Sequence, residues 1–317
     1  MDFRQLGTTD LKIAPIVFGG NVFGWTLDEK TSFSILDAVV DHGFNAIDTA
    51  DVYSVWAPGN EGGESETIIG NWLKANPGKR DQVLIFTKVG WDMEKPGEKG
   101  LSERWIMESA ERSLKRLGVE RIDLYFSHCP DPETPYEETL GAYEKLLKAG
   151  KVRAVGASNL DASQLSTALD VAKTHNLPRY DVLQPEYNLY DRGSYDGALR
   201  DLCIREKLGV VPYYSLASGF LSGKYRSQDD LSQSARGSGV EKYLNPRGMK
   251  ILAALDAVAA RHDARQAEIA LAWLIGREGV TAPIASATKR EHIESFAKAA
   301  QLTLSAEDRA ELDAASA

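Results

Sequence analysis

Four side chains capable of acid–base chemistry follow short apolar segments of the sequence. Asp48 and Tyr53 lie in the stretch NAIDTADVYS, Lys88 ends VLIFTK, and His128 ends IDLYFSH. A phenol has an ordinary pKa of about 10, but a neighbouring ammonium group stabilises the phenolate and lowers that pKa. A carboxylate keeps the ammonium charged, and an imidazole can hydrogen-bond a substrate carbonyl oxygen. The set predicts a site that donates a proton to a carbonyl group.

Each of these residue types also has an ordinary structural explanation. A strand-terminal aspartate often caps a helix, a tyrosine often packs, a lysine is often solvated, and a histidine is often a satisfied core residue. The combination on successive apolar runs favours the catalytic interpretation, whereas nearby Asp51 is interpreted as a turn or cap residue. The sequence has no metal-ligand cluster and no flavin motif, so we expect a nicotinamide to supply the hydride that a carbonyl reduction needs.

Eight short apolar runs are predicted to be parallel β-strands. They are rich in Val and Ile and do not alternate cleanly, which is typical of strands covered on both faces. A hairpin with strands near residues 2–5 and 11–14 precedes them. The eight predicted strands span residues 16–20, 45–48, 83–88, 122–128, 152–158, 182–186, 209–213 and 281–286.

Amphipathic segments between these runs predict the helices that connect parallel strands. One ends at Gly43, another ends at Gly118, and a third begins at Asp161, a favourable N-cap. The alternation predicts an α/β fold, a (β/α)8 TIM barrel with an N-terminal β-hairpin. A Rossmann fold is not indicated, because GGNVFG does not supply G-x-G-x-x-G after the first strand. In such a barrel the active site lies at the carboxyl ends of the strands, where the four acid–base residues fall.

Composition and charge narrow the function further. The 317 residues carry a formal net charge of −9, which argues against nucleic acid as a partner. Cys129 and Cys203 form no paired motif, so we predict no disulfide framework and no metal site. We read no signal peptide and no membrane span, and we therefore expect a cytoplasmic protein with a small-molecule carbonyl or alcohol substrate. We predict one domain over residues 1–317 with a long loop at about 222–247, and we make no prediction of oligomeric state.

Motifs along nearly the whole chain resemble those of the aldo-keto reductase family. NAIDTADVYS with the following GGESETIIGNWL resembles the family's Asp/Tyr segment, IFTKVG its lysine segment, and IDLYFSHCPDP its histidine strand. VRAVGASNL resembles the Ser-Asn strand that binds the cofactor, LQPEYNLYDR the Gln-containing strand, and PYYSLASGFLSGKY the segment that stacks on the cofactor. Because several motifs occur in the family's order, the resemblance is specific.

The resemblance implies a role for each matching residue. Tyr53 is the general acid in reduction, Lys88 and Asp48 tune it, and His128 orients the carbonyl. The implied cofactor contacts are Gly20; Ser158, Asn159 and Gln184 at the carboxamide; Tyr213 on the nicotinamide ring; Leu216, Gly219 and Lys224 at the pyrophosphate; and Ser286, Thr288, Lys289 and His292 near the 2′-phosphate.

Three residues depart from the family pattern and bear on the cofactor. Ser215 stands where many relatives have proline, Ser286 where some carry a phosphate-binding lysine, and Phe296 where many carry asparagine. Lys289 and Arg290 still offer positive charge, although a solvated helix start would explain them too. We therefore expect NADPH/NADP⁺ as the cofactor, with NADH as the alternative.

Aromatic residues on loops at the same face suggest where a substrate lies. Trp25 and Trp56 are the substrate-pocket candidates, although packing within the loops explains either one equally well. The predicted reaction is the NADPH-dependent reduction of an aldehyde or ketone to the alcohol. The alternatives are a sugar or alcohol dehydrogenase running in the oxidative direction with NAD(P)⁺, a nicotinamide-binding regulatory subunit with little turnover, and an aldolase that forms a Schiff base on Lys88.

Overall fold

A curled sheet of eight parallel strands forms the centre of the computed structural model, which describes residues 1–234 and 237–317 (for Ser238, the backbone). A separate antiparallel hairpin precedes it. The strands are β1 (Arg4–Gln5), β2 (Lys12–Ile13), β3 (Val17–Gly19), β4 (Ala46–Asp48), β5 (Leu84–Val89), β6 (Ile122–Ser127), β7 (Val152–Ser158), β8 (Val182–Gln184), β9 (Gly209–Val210) and β10 (Ile284–Ala285). In the sheet, β3 to β9 follow one another in chain order and β10 lies beside β3.

Backbone hydrogen bonds join the two edges of this sheet. β10 pairs in parallel with β3, with Ile284 opposite Val17. On the other side, the N–H groups of Thr281 and Ile284 donate to the carbonyl oxygens of Val210 and Pro212, both at 2.8 Å. The result is a TIM-barrel-like α/β fold, and the predicted positions of the hairpin and of all eight strands are confirmed.

Several strands are shorter than their apolar runs predict, and β9 and β10 have only two residues each. β9 ends at Val210, although GVVPY predicts a strand that continues to Tyr213. On the side of β8, the N–H groups of Val211 and Tyr213 still donate to the carbonyl oxygens of Leu183 and Pro185, but Pro185 has no N–H to donate back, so the regular ladder with β8 stops there. Tyr213 still forms an isolated bridge with Glu186, which keeps this segment beside the extension of β8.

Ten α-helices surround the sheet in the described residues, and side-chain caps fix where several of them begin. Asp28, Ser102 and Asp161 each accept a hydrogen bond from the backbone N–H three residues further on. No helix in this part of the chain is long and apolar enough to cross a lipid bilayer. The helices are α1 (Glu29–Asp41), α2 (Glu64–Ala75), α3 (Glu103–Leu117), α4 (Tyr136–Lys148), α5 (Ala162–Thr174), α6 (Ala198–Arg205), α7 (Pro246–Arg261), α8 (Gln266–Ile275), α9 (Arg290–Ala299) and α10 (Ala306–Ser316).

The hairpin covers the end of the barrel where the strands begin. Leu6, Leu11 and Ile13 are buried in the apolar cluster that fills the inside of the sheet. Thr8 Oγ1 donates to Asp181 Oδ1 at 2.6 Å, just before β8 begins. A second, larger apolar core lies between the strands and the helices. The carboxyl ends of the strands are therefore the open end of the barrel.

The segment predicted as a long loop at about 222–247 contains short 3₁₀ helices. They span Gln228–Gln233 and Gly237–Tyr243, while residues 235 and 236 of the predicted loop lie outside the described residues. Tyr225 and Tyr243 are buried, and Tyr243 Oη donates to Asp191 Oδ2 at 2.8 Å. The described part of the segment thus packs against the barrel. Two other 3₁₀ helices span Pro77–Gln82 and Ala217–Ser222.

Candidate active site

Three of the four acid–base side chains form one hydrogen-bonded group at the carboxyl ends of adjacent strands. Asp48 is the last residue of β4, and Lys88 lies near the end of β5. Lys88 Nζ lies 2.6 Å from Asp48 Oδ2, 2.7 Å from the carbonyl oxygen of Thr49 and 2.9 Å from Tyr53 Oη. An ammonium group has three protons to donate, so this lysine is fully partnered although its side chain is entirely buried.

This arrangement leaves the Tyr53 phenol with a proton to give. Because Lys88 donates to Tyr53 Oη, the phenol accepts that bond and its own O–H needs a different acceptor. Asp48 Oδ2 lies 3.4 Å from Tyr53 Oη, at the long limit of a hydrogen bond. Tyr53 also borders the large cavity at the open end of the barrel. A carbonyl oxygen in that cavity is therefore a suitable acceptor.

The pKa of Tyr53 shifts in the direction opposite to the one expected from its lysine neighbour. Burial raises this pKa well above its ordinary value, and the nearby Asp48 carboxylate adds to the rise. Burial also lowers the pKa of Lys88, against the opposing effect of Asp48. The phenol is thus protonated at neutral pH, which suits an acid in a reduction better than a base in an oxidation.

His128 stands across from Tyr53 and carries no charge at neutral pH. Its ring centroid lies 5.9 Å from that of Tyr53. Burial, and then the positive charge of Lys88, lower the pKa of His128 well below its usual range. Its Nδ1 is buried and has no hydrogen-bond partner within the described chain, which leaves Nε2 as the ring nitrogen that faces the cavity. A neutral ring with its proton on Nε2 can donate to a carbonyl oxygen.

The residues expected at a carboxamide form a connected polar chain next to the acid–base group. Gln184 Nε2 donates to Asp48 Oδ1 at 2.9 Å, and Ser158 Oγ donates to the carbonyl oxygen of Gln184 at 2.8 Å. Asn159 Nδ2 donates to the carbonyl oxygen of His128 at 2.9 Å, and Asn159 Oδ1 accepts from Tyr213 Oη at 2.7 Å. The structure therefore places Ser158, Asn159, Gln184 and Tyr213 beside the acid–base group, and their contact with a cofactor stays a prediction.

A cavity of about 1330 Å³ runs along the open end of the barrel. This is larger than the roughly 300–1,000 Å³ of a typical small-molecule site, and it suits an extended ligand. The predicted site residues that line it are Trp25, Asp48, Tyr53, Trp56, His128, Ser158, Asn159, Gln184, Tyr213, Leu216, Gly219, Lys224, Ser286, Thr288 and His292.

Gly20, Lys88 and Lys289 do not appear in the described lining of this cavity. Lys88 lies beneath the surface, where it contacts Tyr53. Gly20 contacts the backbone of β4 instead, because its N–H donates to the Asp48 carbonyl oxygen at 2.7 Å. Lys289 points to solvent, with 69% of its side chain exposed and an ion pair to Glu291 at 3.6 Å.

One end of the cavity is lined by two basic side chains. One of them, Arg265, was not among the residues predicted from the sequence. Lys224 and Arg265 both line the cavity. Together with Lys289 they lie close enough to His292 to lower its pKa, after the larger effect of burial. Arg265 directly precedes α8, so only a prediction of which loop faces the barrel mouth would have singled it out.

The other end of the cavity is lined by aromatic side chains. They include Trp91, which was not one of the two predicted substrate-pocket residues. Trp25 and Trp56 pack edge to face, with ring centroids 5.7 Å apart. Trp91 lines the same cavity and lies 5.2 Å from the His128 ring. The sequence signal was its position just after β5, close to the strand end that carries Lys88.

A comparison with protein families finds one match across almost the whole chain. The model of the Aldo/keto reductase family matches residues 15–317. Both the acid–base group and the cavity lie inside this range.

Individual relatives cover similar lengths. The chain is 32% identical to aldo-keto reductase YhdN of Bacillus subtilis (strain 168) over 323 residues, covering 99% of this chain and 93% of that protein. It is 32% identical to a probable voltage-gated potassium channel subunit beta of Arabidopsis thaliana over 307 residues, covering 94% and 91%. It is 29% identical to an L-glyceraldehyde 3-phosphate reductase of Escherichia coli O157:H7 over 323 residues, covering 99% and 92%.

Proposed function

The chain belongs to the aldo/keto reductase family, a family of oxidoreductases, and we propose that it reduces an aldehyde or ketone to the alcohol with NADPH. The observation that carries the proposal is the bond from Lys88 Nζ to Tyr53 Oη at 2.9 Å, with the same ammonium held by Asp48 at 2.6 Å. Burial raises the pKa of this phenol, and the fixed charge of Lys88 stabilises the phenolate as the proton leaves for a developing oxyanion.

The cavity's donor set fits a nicotinamide cofactor. The amides of Asn159 and Gln184 and the hydroxyl of Ser158 suit a carboxamide, and the Tyr213 ring offers a flat surface for the nicotinamide. When bound, a reduced nicotinamide supplies a hydride to the carbonyl carbon. The chain's own groups then have to orient the carbonyl and deliver a proton.

In this reaction His128 orients the carbonyl and Tyr53 delivers the proton. His128 Nε2 donates a hydrogen bond to the carbonyl oxygen and holds it near Tyr53 Oη. As negative charge develops on this oxygen, the phenol transfers its proton to it, and the alcohol forms. The phenolate that remains is stabilised by Lys88, whose charge is balanced by Asp48.

The positive end of the cavity supports NADPH over NADH. A 2′-phosphate carries negative charge that Lys224 and Arg265 can meet at the cavity lining. Arg265 suits this role better than Lys289, because the guanidinium group binds phosphate in a bidentate manner and Lys289 is directed to solvent. These two cations support a phosphate site in the cavity despite the departures at Ser286 and Phe296.

The test of the reaction is NADPH consumption, followed at 340 nm, with a panel of aldehydes and ketones, for the natural protein and Tyr53→Phe. The variant removes one hydroxyl and keeps the ring. We expect kcat to fall by roughly 10²–10⁴-fold. NADPH binding, measured by quenching of tryptophan fluorescence, should stay within about twofold because the ring remains in place. Unchanged kcat in Tyr53→Phe would remove the phenol from the mechanism.

The cofactor proposal has a matched pair of variants. Arg265→Met removes a cation that lines the cavity, and Lys289→Met removes a cation outside the lining. We expect the first to raise the Kd for NADPH about tenfold, equivalent to ~1.4 kcal/mol, and to leave NADH binding unchanged. The second should change neither. Natural protein that binds NADH as tightly as NADPH would contradict the proposed preference.

A regulatory role with little turnover is the second candidate, and the plant relative supports considering it. That protein is a probable voltage-gated potassium channel subunit beta, and it is as similar in sequence as the Bacillus subtilis aldo-keto reductase. The same assay separates the two functions. Tight NADPH binding without turnover of any carbonyl would favour the regulatory role.

A further inference from the structure

Five aromatic rings line the cavity around the proton donor as a continuous series, which we call the aromatic arc. Its members in spatial order are Trp25, Trp56, Tyr53, His128 and Trp91. Consecutive ring centroids lie 5.7, 6.0, 5.9 and 5.2 Å apart. The two groups proposed to act on the carbonyl are at the centre of the arc, so a carbonyl there has an indole on each side.

Two indoles of the arc are partly exposed. Only six large hydrophobic side chains of the described residues are exposed, and three of them, Trp56, Trp91 and Tyr214, line this cavity. Trp56 and Trp91 are each 46% exposed. Apolar side chains that gather in a concave surface usually mark a binding site, since covering them removes apolar area from water.

The same region offers no charge for an anionic substrate. The cationic side chains in the described lining are Lys224 and Arg265, which we place at the cofactor phosphates. Lys88 lies near the arc, but all three of its donors are occupied. His128 is neutral at physiological pH because burial lowers its pKa. A phosphate or carboxylate brought to this end would lose hydration without gaining a counter-ion.

We propose that the aromatic arc selects neutral aldehydes and ketones whose carbonyl is attached to an aromatic ring, and that it discriminates against phosphorylated and carboxylated carbonyls. This inference rests on the proposed carbonyl reduction. An aryl group beside Tyr53 and His128 can pack against Trp56 on one side or Trp91 on the other, in the offset or edge-to-face geometry that aromatic pairs prefer. The predicted specificity differs from the substrate named for the Escherichia coli relative, L-glyceraldehyde 3-phosphate.

The first measurement compares kcat/KM within two matched substrate pairs, using the full-length protein and NADPH. Benzaldehyde should exceed 4-carboxybenzaldehyde by at least about tenfold, because the two differ mainly in one negative charge. Glyceraldehyde should exceed glyceraldehyde 3-phosphate for the same reason. A preference for either anionic member overturns the inference. A higher kcat/KM for a neutral sugar such as xylose than for benzaldehyde also overturns it, because the indoles would then bind a carbohydrate in preference to an aryl group.

The second measurement asks whether the exposed indoles cause the preference. Trp56→Ala and Trp91→Ala should each lower kcat/KM for benzaldehyde by about tenfold and change that for propanal by less than about threefold. Trp91→Phe should restore most of the loss. Phe3→Ala is the control, because Phe3 is 51% exposed and lies outside the cavity lining. Equal losses for benzaldehyde and propanal would mean that the indoles support the site without selecting the substrate.

A binding experiment separates this inference from the proposed reaction. Saturation-transfer NMR with benzyl alcohol and with benzoate, on protein loaded with NADPH, reads the arc without turnover, because neither compound accepts a hydride from the reduced cofactor. Benzyl alcohol should give the stronger signal and lose it in Trp91→Ala. That result in a protein that reduces no carbonyl would reject the reaction and keep the aromatic site. Turnover of carbonyls with no dependence on Trp56 or Trp91 would keep the reaction and reject the site.

Discussion

Two ion pairs, each with a buried carboxylate, lie on opposite faces of β5, and their N–O distances are almost the same. Lys88 Nζ is 2.6 Å from Asp48, and Arg116 Nε is 2.7 Å from Glu66. Successive residues of a strand point to opposite faces. Lys88 therefore reaches the inner pair, whereas Thr87 Oγ1 donates to Glu66 Oε1 at 2.5 Å in the outer pair. The described cavity lining includes a member of the inner pair and none of the outer pair.

The carboxylates of Asp48 and Asp51, on the two faces of β5, differ in their hydrogen-bond partners. The inner carboxylate, Asp48, has a partner for each oxygen, Lys88 and Gln184. Asp51 lies on the outer side, where it accepts from Ser109 Oγ at 3.0 Å and leaves Oδ1 buried with no partner in the described chain. Burial, and then the charge of Glu66, raise the pKa of Asp51 to about 7. We infer that the inner group performs chemistry and that the outer group holds α2 and α3 against β5.

The largest predicted effect comes from removing the cation of each pair. Lys88→Met should lower kcat by roughly 10²–10⁴-fold, because the phenolate loses its stabilising charge. It should also destabilise the fold by about 3–5 kcal/mol, since Asp48 becomes a buried unpaired charge. Arg116→Met should give a similar loss of stability, because Glu66 is fully buried, and should leave kcat within about twofold. Urea unfolding and steady-state kinetics on both variants check the two expectations.

The kinetics of these variants are measured at temperatures where each variant is fully folded. A loss of folded protein is then not mistaken for a loss of kcat. If Lys88→Met is too unstable to purify, Tyr53→Phe serves as the inner variant because it leaves the ion pair in place. A large loss of kcat in Arg116→Met at a temperature where it is fully folded would show that the outer pair also contributes to catalysis. The inference that only the inner pair, Lys88 and Asp48, takes part in catalysis would then be wrong.

The next effect in size is the pH dependence of stability caused by Asp51. Its pKa is raised in the folded protein to about 7 from the ordinary value of 3.8, so the folded state holds a proton that the unfolded state releases. Stability should therefore fall between about pH 4 and pH 7, by up to about 1.4 kcal/mol per pH unit, and level off above. Asp51→Asn cannot ionise. It should be more stable than the natural protein at pH 8, by a few kcal/mol, and similar near pH 4.

Urea midpoints at pH 5, 6, 7 and 8 measure this difference. The gain from Asp51→Asn should grow from pH 5 to pH 7 and then stay constant. Asp161→Asn, a variant of an exposed N-cap aspartate, is the matched control and should show no such growth. A constant difference between Asp51→Asn and the natural protein at every pH would mean that Asp51 is ionised throughout.

The sequence predicts the inner cluster well and the outer cluster poorly, for a physical reason. Asp48, Lys88 and His128 lie at or just after the ends of buried strands, and a parallel barrel brings all such ends to one place. Asp51 lies in a turn, as the sequence predicts, but the sequence does not reveal its hydrogen-bond partner Ser109, which is 58 residues away on α3. Only the packing of a helix against a strand brings these two side chains together.

The end of the cavity lined by Lys224 and Arg265 shows the same limit of prediction from sequence. Lys289 and Arg265 both stand at the beginnings of helices, and the sequence favoured Lys289 because it follows the last strand. The direction of each side chain depends on how α8 and α9 pack, which the local sequence does not reveal. The strand positions are predictable because they depend on local apolar runs, whereas the end of β9 depends on Pro185, a residue that follows the neighbouring strand.

The smallest predicted effect tests whether the two clusters are independent where they come closest in sequence. Thr87→Val removes the hydroxyl that donates to Glu66, keeps the shape of the side chain, and leaves Lys88 on the other face of β5. Losing a hydrogen bond to a buried carboxylate should cost about 2 kcal/mol in the free energy of unfolding. Because the strand separates the two side chains, kcat should remain within about twofold. A fall of more than tenfold, in protein shown by circular dichroism to be folded, would mean that the outer hydrogen bond positions Lys88 and that the two clusters work as one.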